Sequence, residues 1–174
     1  MALTFTVGGT KGTFEDDGDA REVAGVLDNA FGAEGDWEGG DPRQFGGLAE
    51  AGWADLQRRA VEELGCHEVP NLLALDARGG GVFLPANVQA MSLPLSHGHM
   101  LQCASLHGLR RELAALAERW DVPVEDIALL ELIEVDCDPD DGFVADAPEI
   151  VAYARLALAA NEAVRRDCPL WIVG

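Results

Sequence analysis

The sequence almost lacks lysine and is poor in positive charge. Lys11 is its one lysine, and 12 basic residues face 31 acidic ones, giving a formal net charge of -19. Binding to nucleic acid or to an anionic membrane depends on clustered cations that release counterions, so we expect neither as a partner. The negative field favours encounter with a basic protein, although solubility or a high-salt environment would favour the same composition.

Long apolar runs and secretion signals are also missing. No segment reaches the roughly 18 apolar residues of a membrane span, and the first residues lack the basic flank and apolar core of a signal peptide. The four cysteines, Cys66, Cys103, Cys137 and Cys168, are scattered rather than arranged as a disulfide framework. We therefore expect a cytoplasmic protein with reduced thiols that folds as one domain over 1–174.

Hydrophobic periodicity predicts an α+β fold. Alternation over 3–7 and an apolar run over 169–173 predict the first and last strands. Leucines at three- and four-residue steps predict an amphipathic helix over 106–120. The other predicted elements are a helix with Asp19 as its cap and Gly32 as its stop, a helix over 53–64, a hairpin of 71–76 with 81–85, a helical segment over 125–134 and a helix from 146 to 166. The expected architecture is a small, largely antiparallel sheet packed with four or five helices.

Two segments without periodicity are expected to be loops. Residues 32–47 are dense in glycine and residues 134–146 are dense in aspartate. The second segment superficially resembles a calcium loop, but no register supplies its acidic ligands together with the required glycine and final glutamate. No lysine, arginine or histidine occurs between Trp120 and Tyr153. The acidic loop is therefore a candidate docking site for a basic protein.

Three of the four histidines lie close together between Leu95 and His107, which raises the possibility of a zinc site. His97 and His99 would alternate to one side of an extended segment, while Cys103 and His107 would share one face of a helical turn. The spacing matches no zinc motif, and no carboxylate lies nearby in the sequence to support these ligands. A zinc-binding protein, structural or hydrolytic, is the alternative interpretation of this cluster.

Signatures of catalysis are absent from the sequence. There is no Gly-x-Ser-x-Gly motif, and the glycine runs lack the Lys-Ser/Thr pair of a phosphate loop. A cysteine–histidine pairing that uses Cys66 or Cys103 stays open, because such partners meet only in the fold. We expect a protein that is not an enzyme and that carries no cofactor.

Three segments of the second half occur in a characteristic order. They are Gly81-Val-Phe-Leu-Pro-Ala86, the leucine-rich segment over 106–120 and Cys168-Pro-Leu-Trp-Ile-Val173. In order and character they resemble small acidic immunity proteins of bacterial toxin-immunity systems. This resemblance implies an inhibitor that binds one cognate toxin and covers its active site, with no chemistry of its own.

The two acidic irregular segments are the predicted contact sites for such a partner. The predicted contact residues are Asp136, Asp138, Asp140 and Asp141 in the acidic loop, and Glu34, Asp36, Trp37 and Glu38 in the glycine-rich loop. The expected partner is one cognate basic protein, bound stoichiometrically. The sequence leaves its identity and the oligomeric state open.

Overall fold

The computed structural model describes residues 2–32, 37–39, 41–76, 80–136 and 147–174. Within these residues lie six strands, six α-helices and a short 3-10 turn. The strands are β1 (Ala2–Val7), β2 (Arg43–Ala49), β3 (Gly81–Leu84), β4 (Met91–Pro94), β5 (Met100–Ser105) and β6 (Leu170–Val173). The helices are α1 (Asp17–Phe31), α2 (Glu50–Leu64), α3 (Pro70–Leu73), α4 (Leu106–Trp120), α5 (Asp126–Asp136) and α6 (Pro148–Arg166), and the 3-10 turn is Ser96–Gly98.

The strands form one mixed, mostly antiparallel sheet in the order β2-β1-β6-β3-β5-β4. Only β3 and β5 run parallel among the described pairs. Strand β6 lies in the middle, with Trp171 opposite Thr6 on one side and Val82 on the other. The predicted α+β class is confirmed, with one helix more than expected because α3 is a separate single turn. None of the helices in this part of the chain is both long and apolar enough to span a membrane.

The two faces of the sheet carry separate hydrophobic clusters. Because side chains alternate along a strand, Phe83 faces one side while Val82 and Leu84 face the other. Helices α2, α4 and α6 cover the first face, and Trp53 is the largest side chain there. Helix α1 covers the second face, where Trp171 is almost fully buried.

The predicted hairpin of 71–76 with 81–85 is wrong. The first of these segments contains α3, and β3 pairs with β5 and β6 instead. Pro70 opens α3, and the buried carboxylate of Glu112 accepts hydrogen bonds from the backbone amides of Asn71 and Leu72. A carboxylate from a helix 40 residues away therefore satisfies the orphan amides that a helix start leaves free.

The predicted loop over 32–47 is wrong in its last part, where β2 begins. Strand β2 pairs with β1 through a register shift, so that Phe45 and Gly46 face Phe5 alone. Gly46 has φ of 77°, the left-handed conformation that a β-bulge of this kind uses. The bulge breaks the two-residue alternation and explains why the segment does not look like a strand.

The start of α1 also differs from its prediction. Asp16, not Asp19, is the cap, and its carboxylate accepts hydrogen bonds from the amides of Gly18 at 2.6 Å and Asp19 at 3.1 Å. Gly32 ends the helix as predicted, with φ of 83° and its amide bonded to the carbonyl of Asp28 at 2.8 Å.

Candidate partner-binding surface

Helix α5 carries apolar residues on its outward side as well as on the side that packs. Leu129 is fully buried, and Leu132 and Ile133 pack against the main core beside α6. A surface helix usually presents polar residues on its outward side. The outward side of α5 is not covered by any described residue.

Three large apolar side chains on α5 and just before it are exposed to solvent. Val124 is 46% exposed, Ile127 76% and Leu130 45%; we call these three residues the α5 stripe. Glu131 and Glu134 lie four residues after Ile127 and Leu130, on the same side of the helix. Neither carboxylate forms an ion pair within the described part of the chain. The surface is therefore an apolar strip bordered by free negative charge.

A polar clamp fixes the start of α5 on α6. The side-chain amide of Asn161 donates to the carbonyl of Val124 at 3.0 Å and to Asp126 Oδ1 at 2.9 Å. Arg165 donates to Asp126 Oδ2 and, at 2.9 Å, to Glu162. These bonds and the buried Leu129 hold one side of α5 against the core, so the α5 stripe faces outward.

The connection between α4 and α5 is anchored by Tyr153. Its hydroxyl donates to the carbonyl of Pro123 at 3.0 Å, and its ring meets Trp120 edge-on at 5.9 Å. Burial, together with the charge of Glu125, raises the pKa of Tyr153 to about 12. Arg59 stacks on the ring of Trp120, 5.1 Å from its centroid. These contacts hold the segment before α5 in place.

Asn161→Ala is expected to loosen α5 without unfolding the domain. The change removes both amide bonds of the clamp, each worth about 1 kcal/mol, so the α5 amides should exchange with solvent roughly thirtyfold faster. Hydrogen exchange read by mass spectrometry would show this change, with the amides of β6 unaffected. Asn29→Ala, at an exposed position of α1, is the matched control. Unchanged exchange of α5 in the Asn161 variant would show that the clamp does not hold the helix.

Most of the sequence-predicted contact residues lie outside the described residues. These are Glu34, Asp36, Asp138, Asp140 and Asp141. Asp136 is the last residue of α5. The first three residues of the predicted acidic loop, 134–136, are therefore helical. Glu38 pairs with Lys11 at 2.8 Å, and the hydrogen bond from that ammonium lowers the pKa of the Glu38 carboxyl.

Trp37 is part of the core on the second face of the sheet. Only 6% of the residue is exposed, and it packs in the same cluster as Trp171. Its indole N–H donates to the carbonyl of Gly32 at 3.4 Å, and its own carbonyl accepts from the amide of Thr10 at 2.7 Å. Its position gives this side chain a packing role rather than a surface on which a partner could bind.

The histidine–cysteine segment is spread over different surfaces. Cys103 is buried on the second face of the sheet, and burial raises the pKa of its thiol to about 12. His107 is exposed on α4, which covers the first face, and His97 belongs to the 3-10 turn. Among the described residues, no group of three or more histidine, cysteine or carboxylate side chains is placed to hold a metal. The structure thus gives no support to the predicted zinc cluster.

A cleft lies where α1 faces the connection between β4 and β5. It has a volume of about 640 Å³, and its lining includes Glu22, His99 and Trp171. The hydroxyl of Ser96 in this cleft donates to Glu22 at 2.8 Å. The serine is therefore engaged by a carboxylate rather than by the neighbouring histidine.

Comparison of this chain with protein-family models, with curated proteins and with solved structures finds no match. Its function has to be argued from its own surfaces.

Sequence reasoning missed the α5 stripe, although its signal is present. The segment from Asp126 to Asp136 is rich in apolar residues, but the pattern shows no single preferred face. Periodicity therefore indicates a helix without saying which side is buried. The signal that could have found the stripe is the excess itself, since a short surface helix needs fewer apolar residues than this one carries.

Proposed function

We propose that this protein is a stoichiometric protein-binding module, an inhibitor of the immunity or antitoxin type. It neutralises one basic protein by occluding it, and it binds that partner through the α5 stripe and the acidic residues around and after it. The observation that carries the proposal is the exposure of Ile127, which at 76% is the most exposed of the large apolar residues on the described surface.

The α5 stripe has the composition of an interface centre. Single exposed apolar residues are normal on protein surfaces, but an apolar row with a polar border is typical of a binding site. Covering the row with a partner removes apolar area from water, which contributes about 25 cal/mol per Å² before the costs of association. The polar clamp keeps the helix ordered before binding, so little of that gain is lost to ordering it.

The charges bordering the stripe favour a basic partner. Glu131 and Glu134 are exposed, and their charges are not neutralised by a described cation. Asp136 and the predicted contact residues Asp138, Asp140 and Asp141 add to the same negative end of α5 along the chain. Such a surface speeds association with a positively charged partner and repels acidic ones.

The toxin as partner is supported by the resemblance to small acidic immunity proteins. An inhibitor needs a rigid complementary surface and no reactive group. The thiol of Cys103 is buried, and burial raises its pKa to about 12, which disfavours the nucleophilic thiolate.

Capture from the host lysate with a matched pair of variants tests the proposal. Ile127→Ser with Leu130→Ser removes the two helical residues of the stripe, while Met91→Ser with Met100→Ser removes two exposed apolar residues, 40% and 48% exposed, on strands β4 and β5. Both double variants should stay folded, because exposed substitutions usually change stability by about 0.5 kcal/mol or less. Wild type and the methionine variant should retain one basic protein near one-to-one, and the stripe variant should lose it.

The inhibitory role requires a second readout on the captured protein. Expression of that protein alone should arrest growth, and co-expression of the wild-type chain should restore it. The stripe variant should fail to restore growth. A captured protein that is harmless when expressed alone would contradict the inhibitor role while leaving the binding surface intact. Stoichiometric zinc with no partner would contradict both.

A further inference from the structure

The exposed side of the first turns of α4 forms a cationic groove on this otherwise acidic protein. The groove has a volume of about 490 Å³ and is lined by Asn87, His107, Arg110, Arg111 and Ala114. Asn87 follows β3, so the groove has walls from two separate parts of the chain. No carboxylate is among its described lining residues. We call it the α4 groove.

The two arginines of the α4 groove differ from most others in forming no ion pair or hydrogen bond with a described residue, although the charge of Arg111 acts on the neighbouring Glu112. Ion pairs with carboxylates hold Arg43, Arg58, Arg59, Arg119 and Arg165, and hydrogen bonds to backbone carbonyls hold Arg155 and Arg166. Arg110 and Arg111 form neither kind of contact with a described residue. In a chain with 31 acidic residues, two adjacent arginines left unpaired at one groove point to an external anion.

The spacing of the donors suits a single compact anion. His107, Arg110 and Arg111 are three and four residues apart, so their side chains project from one side of α4. Each guanidinium offers a planar fork of N–H donors that matches phosphoryl oxygens in a bidentate manner. His107 is in the first turn of α4, where the helix dipole adds partial positive charge. Ala114 keeps the next turn small and leaves room between the two arginines and Asn87.

We propose that the α4 groove binds a phosphoryl group carried by a small molecule. A phosphoryl group has about two negative charges and three acceptor oxygens, which matches two guanidinium forks and an imidazole better than a single carboxylate does. The ligand is small because the net charge of -19 repels extended polyanions such as nucleic acid. Arg110 also lines a neighbouring cavity together with Val124, so the α4 groove adjoins the α5 stripe. Phosphate binding in the groove does not depend on the proposed inhibitor function.

Titration with inorganic phosphate, followed by NMR of backbone amides and arginine Nε–H groups, tests the site. We expect saturable shifts at His107, Arg110 and Arg111 at constant ionic strength. Arg110→Gln with Arg111→Gln should weaken binding roughly tenfold or more, because the change removes both guanidinium forks and their charges. The matched control is Arg58→Gln with Arg119→Gln. It changes the net charge equally at two exposed ion pairs that contribute little to stability, and it should bind phosphate like the wild type.

Three results would overturn the proposal. Shifts that do not saturate would indicate only general attraction of anions. Equal weakening in both double variants would assign the effect to net charge rather than to the groove. Acetate binding as tightly as phosphate would contradict the phosphoryl assignment. Because the readout does not involve a protein partner, loss of the α5 proposal would leave this test unaffected.

Discussion

Glu112→Ala is expected to lower the free energy of unfolding by about 2–4 kcal/mol. Glu112 is only 5% exposed, and its carboxylate accepts three hydrogen bonds. They come from the backbone amide of Asn71 at 2.9 Å, its side-chain amide at 2.7 Å and the amide of Leu72 at 2.7 Å. Alanine would leave these donors without an acceptor in the interior, at the start of α3.

Chemical denaturation of two variants on the same helix would check this value. Glu118 is exposed on α4, so Glu118→Ala should cost about 0.5 kcal/mol or less. Glu112→Gln should fall between the two, because an amide supplies one acceptor oxygen and turns an N–H₂ group toward a donor. Equal stability of the Glu112 and Glu118 alanine variants would refute a capping role for Glu112.

The same residue gives the stability a defined pH dependence. Burial raises the pKa of the Glu112 carboxyl, although its hydrogen bonds from Asn71 and Leu72 oppose the shift. Because the folded pKa lies above the unfolded one, the folded state binds the proton more tightly. The resulting stability is present below the unfolded value of about 4.3 and is lost as the pH rises through the folded pKa. The stability advantage of wild type over Glu112→Gln should therefore shrink with rising pH.

Trp171→Ala is expected to cost about 3–5 kcal/mol of unfolding free energy. Trp171 is 1% exposed in the central strand β6, and it joins the second face of the sheet to α1. Its indole N–H donates to the carbonyl of Gly8 at 2.8 Å, and Phe14 meets its ring edge-on at 5.3 Å. Alanine would remove one of the two tryptophan side chains of this cluster and leave a cavity under α1.

Trp171→Phe separates packing from hydrogen bonding at this position. Phenylalanine keeps most of the apolar contact but leaves the carbonyl of Gly8 without its donor, so we expect a loss of about 1–3 kcal/mol. Val173→Ala, at the half-buried end of the same strand, should cost about 1 kcal/mol. In thermal or denaturant unfolding, Trp171→Ala should lose the most stability, Trp171→Phe less and Val173→Ala the least. A phenylalanine variant as unstable as the alanine variant would assign the whole effect to the hydrogen bond.

The elements that the sequence predicted well are those with a local cause. Helix α4 spans the predicted residues Leu106–Trp120, because its leucines repeat at helical spacing and Ser105 caps it by accepting from the amide of Gly108 at 3.1 Å. Strand β6 follows from a short run of β-forming residues, and α6 ends at the predicted Arg166. In each case the information lies within the segment itself.

The elements that it missed depend on residues far away in the chain. Helix α3 is only four residues long, and it exists because Glu112 supplies the acceptor for its first amides. Strand β2 is defined by pairing with β1 through a bulge at Gly46 rather than by its side chains. No local pattern carries either contact.

The candidate site was predictable only in its charge. The acidic end of α5 is visible in the sequence, and it predicts Asp136 and the aspartates after it as contact residues. The outward side of α5 was not predictable, because it is set by Asn161 and Arg165 holding Asp126 from another helix. Trp37 looked like an interface aromatic, but its burial depends on the second face of the sheet.

Titration calorimetry of the purified chain with its captured partner tests the central claim most directly. We predict a one-to-one complex whose affinity falls when the salt concentration is raised. Ile127→Ser with Leu130→Ser should weaken that complex roughly 100-fold, while Met91→Ser with Met100→Ser should leave the affinity unchanged. Equal affinity for the wild type and the Ile127/Leu130 double variant would contradict the claim that this protein acts through the exposed face of α5.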